Sequence, residues 1–503
     1  MQNRSRRLIL NSIYSLLAWL LPVTLGLVVT PFLLKRLGVE AYGVYLVILG
    51  FIGYSFTFSL SRSVAKFVAE FKPSGDTRKI NSAITAAFYI SLAMGILGAV
   101  ITALLAEWAV KDVLQISAEF QRPATLALMI GGASIPLIQV GQVFQNILQG
   151  SHRFGAVSVL TNLNWLFLNT GNVLLVVNGF GIDALLIWTV VVAGLIAVVS
   201  YGAAKRAEPE YGLSFSSSGE MIRPVAAYGA SIFLYQIFGS LMLLFERAWV
   251  IRNFGAEVAA YYFVPMALAI FFHGFMASLT SATFPVINEL LRDRDRSIQL
   301  YRKLSKLLVS LTVLFLLSVG FGAEAFLTVW IDSGFAAASF RLFIIHSFTF
   351  GSIVVMLGTW QLNEAHGAAR LNALLAGVWA CVTVSLMFVL ADTWNAEGIA
   401  ASRLIGVAVT LPVVFYAERR FLGGVQWGFW RELSFKIAAA AGVLSLIEYW
   451  VFTRNLGSWE ELALGWGLGT FAYFLVLYLT GLISRDEGAV FLRAVGLGRA
   501  ELE

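Results

Sequence analysis

The sequence has 503 residues, of which 59% are hydrophobic and 13% charged, with 35 basic and 29 acidic side chains. A soluble domain carries roughly 25% charged residues, so this chain lacks the polar surface to fold in water, and most of it must lie in lipid. Its single cysteine, Cys381, excludes an internal disulfide or a cysteine metal cluster, and no cofactor is expected.

A helix that crosses the hydrocarbon needs about 20 mostly apolar residues. Such runs fall at 8–34, 41–61, 82–106, 123–149, 156–178, 183–203 and 225–250. They continue at 258–287, 307–330, 338–361, 371–391, 398–416, 436–453 and 462–483, fourteen in all. Their length and uniform apolarity point to helices, not to the alternating strands of an outer-membrane barrel. The expected fold class is therefore an all-α polytopic membrane protein with about 14 transmembrane helices. Arg4, Arg6 and Arg7 precede the first run, but that run is too long for a signal core and has no small-residue cleavage site, so it reads as a retained helix. The stretches "RDRDR" (292–296) and "QWGFWREL" (426–433) read as a solvated loop and an interfacial aromatic anchor.

Alternating sides at each run, with the amino terminus in the cytoplasm, places 26 Lys and Arg residues on the cytoplasmic side and 9 on the outer side. This asymmetry is what the positive-inside rule requires, and it puts both termini in the cytoplasm. The formal net charge of +6 is thereby a topology signal, and a nucleic-acid partner is not indicated.

The chain also matches itself at an ungapped offset of 217 residues. Gly38 aligns with Gly255, Glu40 with Glu257, Tyr45 with Tyr262, Asn146 with Asn363, Gly150 with Gly367 and Arg153 with Arg370. Each copy holds six runs, an even number, so both enter the membrane from the same side as a parallel repeat. The expected domains are an N-terminal six-helix lobe at 1–203 and a cytoplasmic linker at 204–224. A C-terminal six-helix lobe follows at 225–420, then an interfacial segment, helices 13–14 and a cytoplasmic tail at 421–503.

Four stretches carry a family resemblance: "TPFLLKRLGVEAYGVYLV", "LQGSHRF", "FERAWVIRNFGAEVAAYYFV" and "TFPVINELL". They resemble the Wzx-like polysaccharide-biosynthesis flippases of the multidrug/oligosaccharidyl-lipid/polysaccharide exporter superfamily, over residues 1 to about 420. The resemblance implies a V-shaped pair of six-helix bundles in the bacterial cytoplasmic (inner) membrane. These would move an undecaprenyl-diphosphate-linked oligosaccharide to the outer leaflet for O-antigen, exopolysaccharide or capsule synthesis. The partners it implies are the lipid-linked oligosaccharide, the phospholipid bilayer, and a polysaccharide polymerase or chain-length regulator.

Polar residues inside the runs are the candidate site. Gln142, Asn146 and Gln149 share one face of the fourth run with Gln139 close by, while Asn162, Asn169 and Asn172 cluster on the fifth. An amide facing lipid costs several kcal/mol without partners, so these faces turn toward protein or water. They either bond between helices or line a glycan path, since neutral sugar hydroxyls pair well with amides. Intramembrane charges are functional candidates by default. Arg62, Lys66, Arg247 and Arg403 are the candidates for a diphosphate path, where fixed cations offset desolvation of the anion; snorkelling is the plain alternative for Lys66 and Arg403. Glu246 is expected as the local partner of an arginine, with ion coupling as its functional alternative. His273 and His346 also lie mid-span.

The chain shows no P-loop, HExxH or nucleophile elbow, and an enzyme is not expected. A cation-coupled multidrug exporter of the same superfamily would need carboxylates inside a lobe, yet the first and tenth runs hold none. A peptidoglycan-precursor flippase shares the fourteen runs and a cationic interior. A membrane-embedded glycosyltransferase or polymerase fits poorly with the duplication.

Overall fold

The computed structural model describes residues 2–55, 62–214, 219–280, 287, 290–291, 293–453 and 458–483, with side chains from residue 20 onward except at 55 and 231–236. The described residues form helices and short connections, without a strand. Ten helices among them are long and apolar enough to cross a membrane. The chain is thus an all-α, multi-pass membrane protein. Parts of the second and eighth expected runs, part of the linker and the carboxyl tail lie outside the described residues.

The helices are α1 Gln2–Leu37, α2 Val39–Ser55, α3 Arg62–Phe71, α4 Thr77–Trp108, α5 Ala118–Gly132, α6 Ser134–Gly150, α7 Phe154–Val177 and α8 Ile182–Ala207. After them come α9 Gly219–Thr280, α10 Arg294–Trp330, α11 Ser333–Ala365, α12 Ala369–Thr410, α13 Val413–Phe421, α14 Trp427–Phe452 and α15 Trp459–Leu479. The expected fourth run is split between α5 and α6 at Ala133, because Pro136 has no N–H for the carbonyl of Gly132 and Ser134 Oγ takes the carbonyl of Gly131 at 2.6 Å.

Tight breaks replace loops at two other places. Within α9 the helix interrupts at Gly255, with φ 83° and ψ 174°. Within α12 it interrupts at Trp394 and Asn395. Gly255 has a counterpart 217 residues earlier in Gly38, between α1 and α2, whose φ is 85°. A positive φ costs an ordinary residue about 1–2 kcal/mol and glycine almost nothing.

The chain forms two compact units, Met1–Val264 with Ala373–Gly406, and Pro265–Asn372 with Val407–Glu503. In the first, α6 packs against α4 and α8, and α7 against α1. Val64, Phe67, Ile84, Phe144 and Leu148 fill one of its cores. Lipid tails are as apolar as leucine, so helices associate through close contact at small residues. A Cβ on Gly150 would stand 2.7 Å from the carbonyl oxygen of Ala65, and one on Gly95 2.5 Å from Pro136 Cα. At the water-facing start of α4, Asp76 accepts the Lys79 N–H at 3.0 Å. That bond, with the nearby Lys79 charge, holds the Asp76 carboxyl below its ordinary range.

In the second unit α10 pairs with α11, and α14 and α15 pack on each other and on α10 around Leu433, Ile437, Leu444 and Tyr473. The turn into α14 is fixed by the buried carboxylate of Glu418. It accepts the Gln426 N–H at 2.9 Å and the Trp430 indole N–H at 2.7 Å. Arg294 donates twice to the carbonyl of Leu422, at 3.0 and 2.7 Å. Of the two tryptophans in "QWGFWREL", Trp427 is exposed and Trp430 is tied to Glu418.

Candidate functional site

Glu246 and Arg247 lie in α9, before its break at Gly255. Neighbours in a helix project about 100° apart, so the two leave the backbone in different directions. The Glu246 carboxylate is fully buried. One oxygen accepts the Tyr262 hydroxyl at 2.5 Å, and the other accepts Arg403 Nη1 at 3.0 Å. Tyr262 stands on the far side of the Gly255 break, so the turn returns the chain to the carboxylate. Arg403 comes from α12, 157 residues away, and is 2% exposed, with its guanidinium 5.7 Å from the Trp379 ring. The expected arginine partner of Glu246 is thus distant in sequence. Leu186, 217 residues before Arg403, is also fully buried but apolar.

Arg247 is held differently. It is 9% exposed and donates Nη1 to the carbonyl of Leu46 on α2 at 3.2 Å. Its guanidinium lies 4.3 Å from the Phe263 ring and 5.3 Å from the Tyr54 ring, a geometry in which cation–π attraction is strong once water is excluded. A Cβ on Gly50 would sit 2.2 Å from Arg247 Nε, so the arginine occupies a notch that only glycine leaves open. No carboxylate pairs with Arg247 among the described residues, and its Nε has no hydrogen-bond acceptor. Glu246 and Arg403 cancel, leaving Arg247 as the net positive charge among the buried side chains described in this unit, with directed donors suited to an oxyanion.

The other candidate cations stand apart from this cluster. Arg62 opens α3 and is exposed. The Lys66 ammonium lies 4.5 Å from the Phe67 ring and 4.6 Å from the Tyr228 ring, with a Glu70 oxygen at 3.9 Å.

The amides divide by depth. Gln139, Asn146, Asn169 and Asn172 are buried, Gln142 and Asn162 half-buried, and Gln149 exposed. Asn146 donates to the Gln142 carbonyl at 2.7 Å and Asn169 to the Trp165 carbonyl at 2.8 Å, each within its own helix. Asn172 crosses to α2 and donates to the Tyr45 hydroxyl at 3.2 Å. The buried oxygens of Asn146 and Asn172 accept no hydrogen bond. Sequence reasoning passed over Tyr262, Tyr54, Phe263 and Gly50 as site residues. The 217-residue offset pairs Tyr262 with Tyr45, and both are buried: Tyr262 donates to Glu246, and Tyr45 accepts from the α7 amide Asn172.

This is the fold of the transporters of the MOP superfamily. The lipid II flippase MurJ, in an inward closed conformation, superposes with a TM-score of 0.72 over 97% of this chain and 99% of its own, at 12% identity. An inward-facing multidrug resistance MATE family transporter superposes with a TM-score of 0.67 over 81% of this chain and 98% of its own, at 14% identity. In sequence, a Shigella flexneri protein assigned as an O-antigen transporter is 22% identical over 416 residues, 80% of this chain and 95% of that protein. The polysaccharide biosynthesis protein family model matches residues 37–339. The chain belongs to that family.

Proposed function

We propose that the protein is a flippase that carries an undecaprenyl-diphosphate-linked oligosaccharide across the bacterial cytoplasmic membrane, feeding O-antigen, exopolysaccharide or capsule synthesis. The observation that carries this reading is Arg247, a buried guanidinium that forms no carboxylate ion pair among the described residues, in a chain of the polysaccharide biosynthesis family. Burying an uncompensated charge is costly, and an anionic substrate is what would use it. The relative assigned as an O-antigen transporter supports the same substrate class.

In this reading the 1–203 and 225–420 halves act as two lobes, joined at 204–224, with both termini in the cytoplasm. Arg62 and Lys66 meet the diphosphate at the cytoplasmic entrance, and Arg247 meets it deeper. Arg403 adds its charge when the contact with Glu246 opens, which makes Glu246 the coupling residue. The amides of α6 and α7, including those whose oxygens lack a partner, bond to sugar hydroxyls as the glycan passes.

The test replaces Arg62 and Arg247 singly with glutamine in cells that depend on this chain for surface polysaccharide. Each variant is expected in the membrane at normal abundance, with surface polysaccharide lost and lipid-linked precursor accumulated. Full polymer from both variants would remove the diphosphate path. Glu246→Gln stopping transport while Glu246→Asp preserves it would support coupling; normal transport in both would exclude it.

A further inference from the structure

In the first unit, a cleft of about 500 Å³ opens where α1 ends and α5 and α8 begin. Its lining includes Arg36, from the last turn of α1, and Arg122, from the first turns of α5, together with Asp183 at the start of α8. Leu126 and Phe180 also line it, and they are 44% and 53% exposed. Arg122 and Leu126 lie four residues apart on α5 and share a face, so that face passes directly from guanidinium to apolar surface. Neither arginine has an ion-pair partner among the described residues; the Arg36 guanidinium rests 5.9 Å from the Phe32 ring.

The charge count assigns this end of the helices to the outer side, which holds only 9 of the 35 basic residues. Two of the nine meet in this cleft, against the bias that thins them elsewhere on that side. Arg36, Arg122 and Asp183 together give the lining one net positive charge. The helix ends place the cleft at the membrane boundary. A free oxyanion has no use for the exposed leucine and phenylalanine, whereas an acyl chain does.

We infer that this cleft binds a glycerophospholipid headgroup carrying one negative charge, with phosphatidylglycerol as the fitting chemistry. Its phosphodiester takes the two guanidiniums, which bind phosphate oxygens in directed pairs. A glycerol hydroxyl donates to the Asp183 carboxylate, and the acyl chain continues over Leu126 and Phe180. The site is separate from the Glu246 cluster and does not depend on the transported substrate.

The experiment uses the full chain, delipidated in neutral detergent, with phosphatidylglycerol, phosphatidylcholine or inorganic phosphate added. Bound lipid is read by native mass spectrometry, and stabilisation by the thermal unfolding midpoint. Phosphatidylglycerol is expected to bind saturably and raise the midpoint, with little effect from the other two. In Arg36→Gln/Arg122→Gln, its half-saturating concentration should rise by at least about tenfold, the effect of losing roughly 1.4 kcal/mol. Arg36→Lys/Arg122→Lys keeps the charge but loses the paired donors, so its half-saturating concentration should fall between those of the native chain and the double glutamine variant, and a distant pair, Arg206→Gln/Arg223→Gln, should match the native chain. Unchanged binding in the double glutamine variant would overturn the site. Should that variant fail to fold, the native chain still decides: equal stabilisation by phosphatidylcholine excludes the charge selectivity, and equal stabilisation by phosphate alone excludes a lipid.

Discussion

Removing Arg403 from its contact with Glu246 makes a quantitative demand. The pair is 3.0 Å apart with side chains 3% and 0% exposed, so neither charge is shielded by solvent. Breaking such a pair from one side leaves an uncompensated buried charge and costs about 3–5 kcal/mol, whereas replacing both members is often neutral or better. Arg403→Met should therefore shift the unfolding equilibrium by roughly a thousandfold, since 1.4 kcal/mol is a factor of ten. Glu246→Gln should cost less, because the amide oxygen still accepts from Arg403 or Tyr262. The double variant Glu246→Gln/Arg403→Met should recover most of the loss. Because large membrane proteins often unfold irreversibly, the quantity to compare is resistance at fixed temperature. Tryptophan fluorescence and protease susceptibility in one detergent both report it. A double variant that loses the sum of the two single losses would refute the pairing as an energetic unit, and so would an Arg403→Met protein as resistant as the native chain.

Further outcomes follow from the same packing. Gly50→Ala should displace Arg247 from its notch, because the new methyl would lie 2.2 Å from Nε; its surface-polysaccharide defect should match that of Arg247→Gln, and normal polymer would show the notch to be dispensable. Gly255→Ala should cost about 1–2 kcal/mol of stability for its positive φ, measured as faster proteolysis, while Gly239→Ala, within the helix and with open space at its Cβ, should not. Glu418→Ala should loosen the turn into α14, since two hydrogen bonds to a charged group, each worth about 1.5–3 kcal/mol, disappear; limited proteolysis after Arg419 or Arg420 reports it. Asp76 caps α4 with a depressed carboxyl, so its contribution is present above the ordinary Asp range and is lost as pH falls through the lower folded value; Asp76→Asn should flatten that acid-side decline in thermal stability.

The helical architecture was legible because lipid imposes one simple rule on composition: a spanning segment must be apolar and must satisfy its own backbone. Gly38 and Gly255 align in the sequence at the 217-residue offset, and each is a tight positive-φ link. The pairing of Glu246 was not legible. Adjacency to Arg247 was the only local signal, and helix geometry turns adjacent side chains apart, so the partner had to come from α12. Arg403 is legible as an intramembrane charge a few residues inside its run, but its role as a counter-ion needs the fold. The amide stripe shows a similar limit. Periodicity placed Gln142, Asn146 and Gln149 on one face, yet Asn146 spends its N–H on its own helix, and Gln149 is exposed. The cause of the split at Ala133, Pro136, is visible in the sequence as a proline, but the uniform apolarity of the run masks the break.

The most direct measurement is translocation itself. The purified chain is placed in proteoliposomes carrying a fluorescent undecaprenyl-diphosphate oligosaccharide, and appearance of the glycan in the opposite leaflet is followed by a membrane-impermeant quencher. The native chain should move the diphosphate-linked glycan, Arg247→Gln should not, and a neutral polyprenyl glycan lacking the diphosphate should stay in place. Equal movement by the native chain and Arg247→Gln, or movement of a cationic drug but not of the diphosphate lipid, would contradict the account.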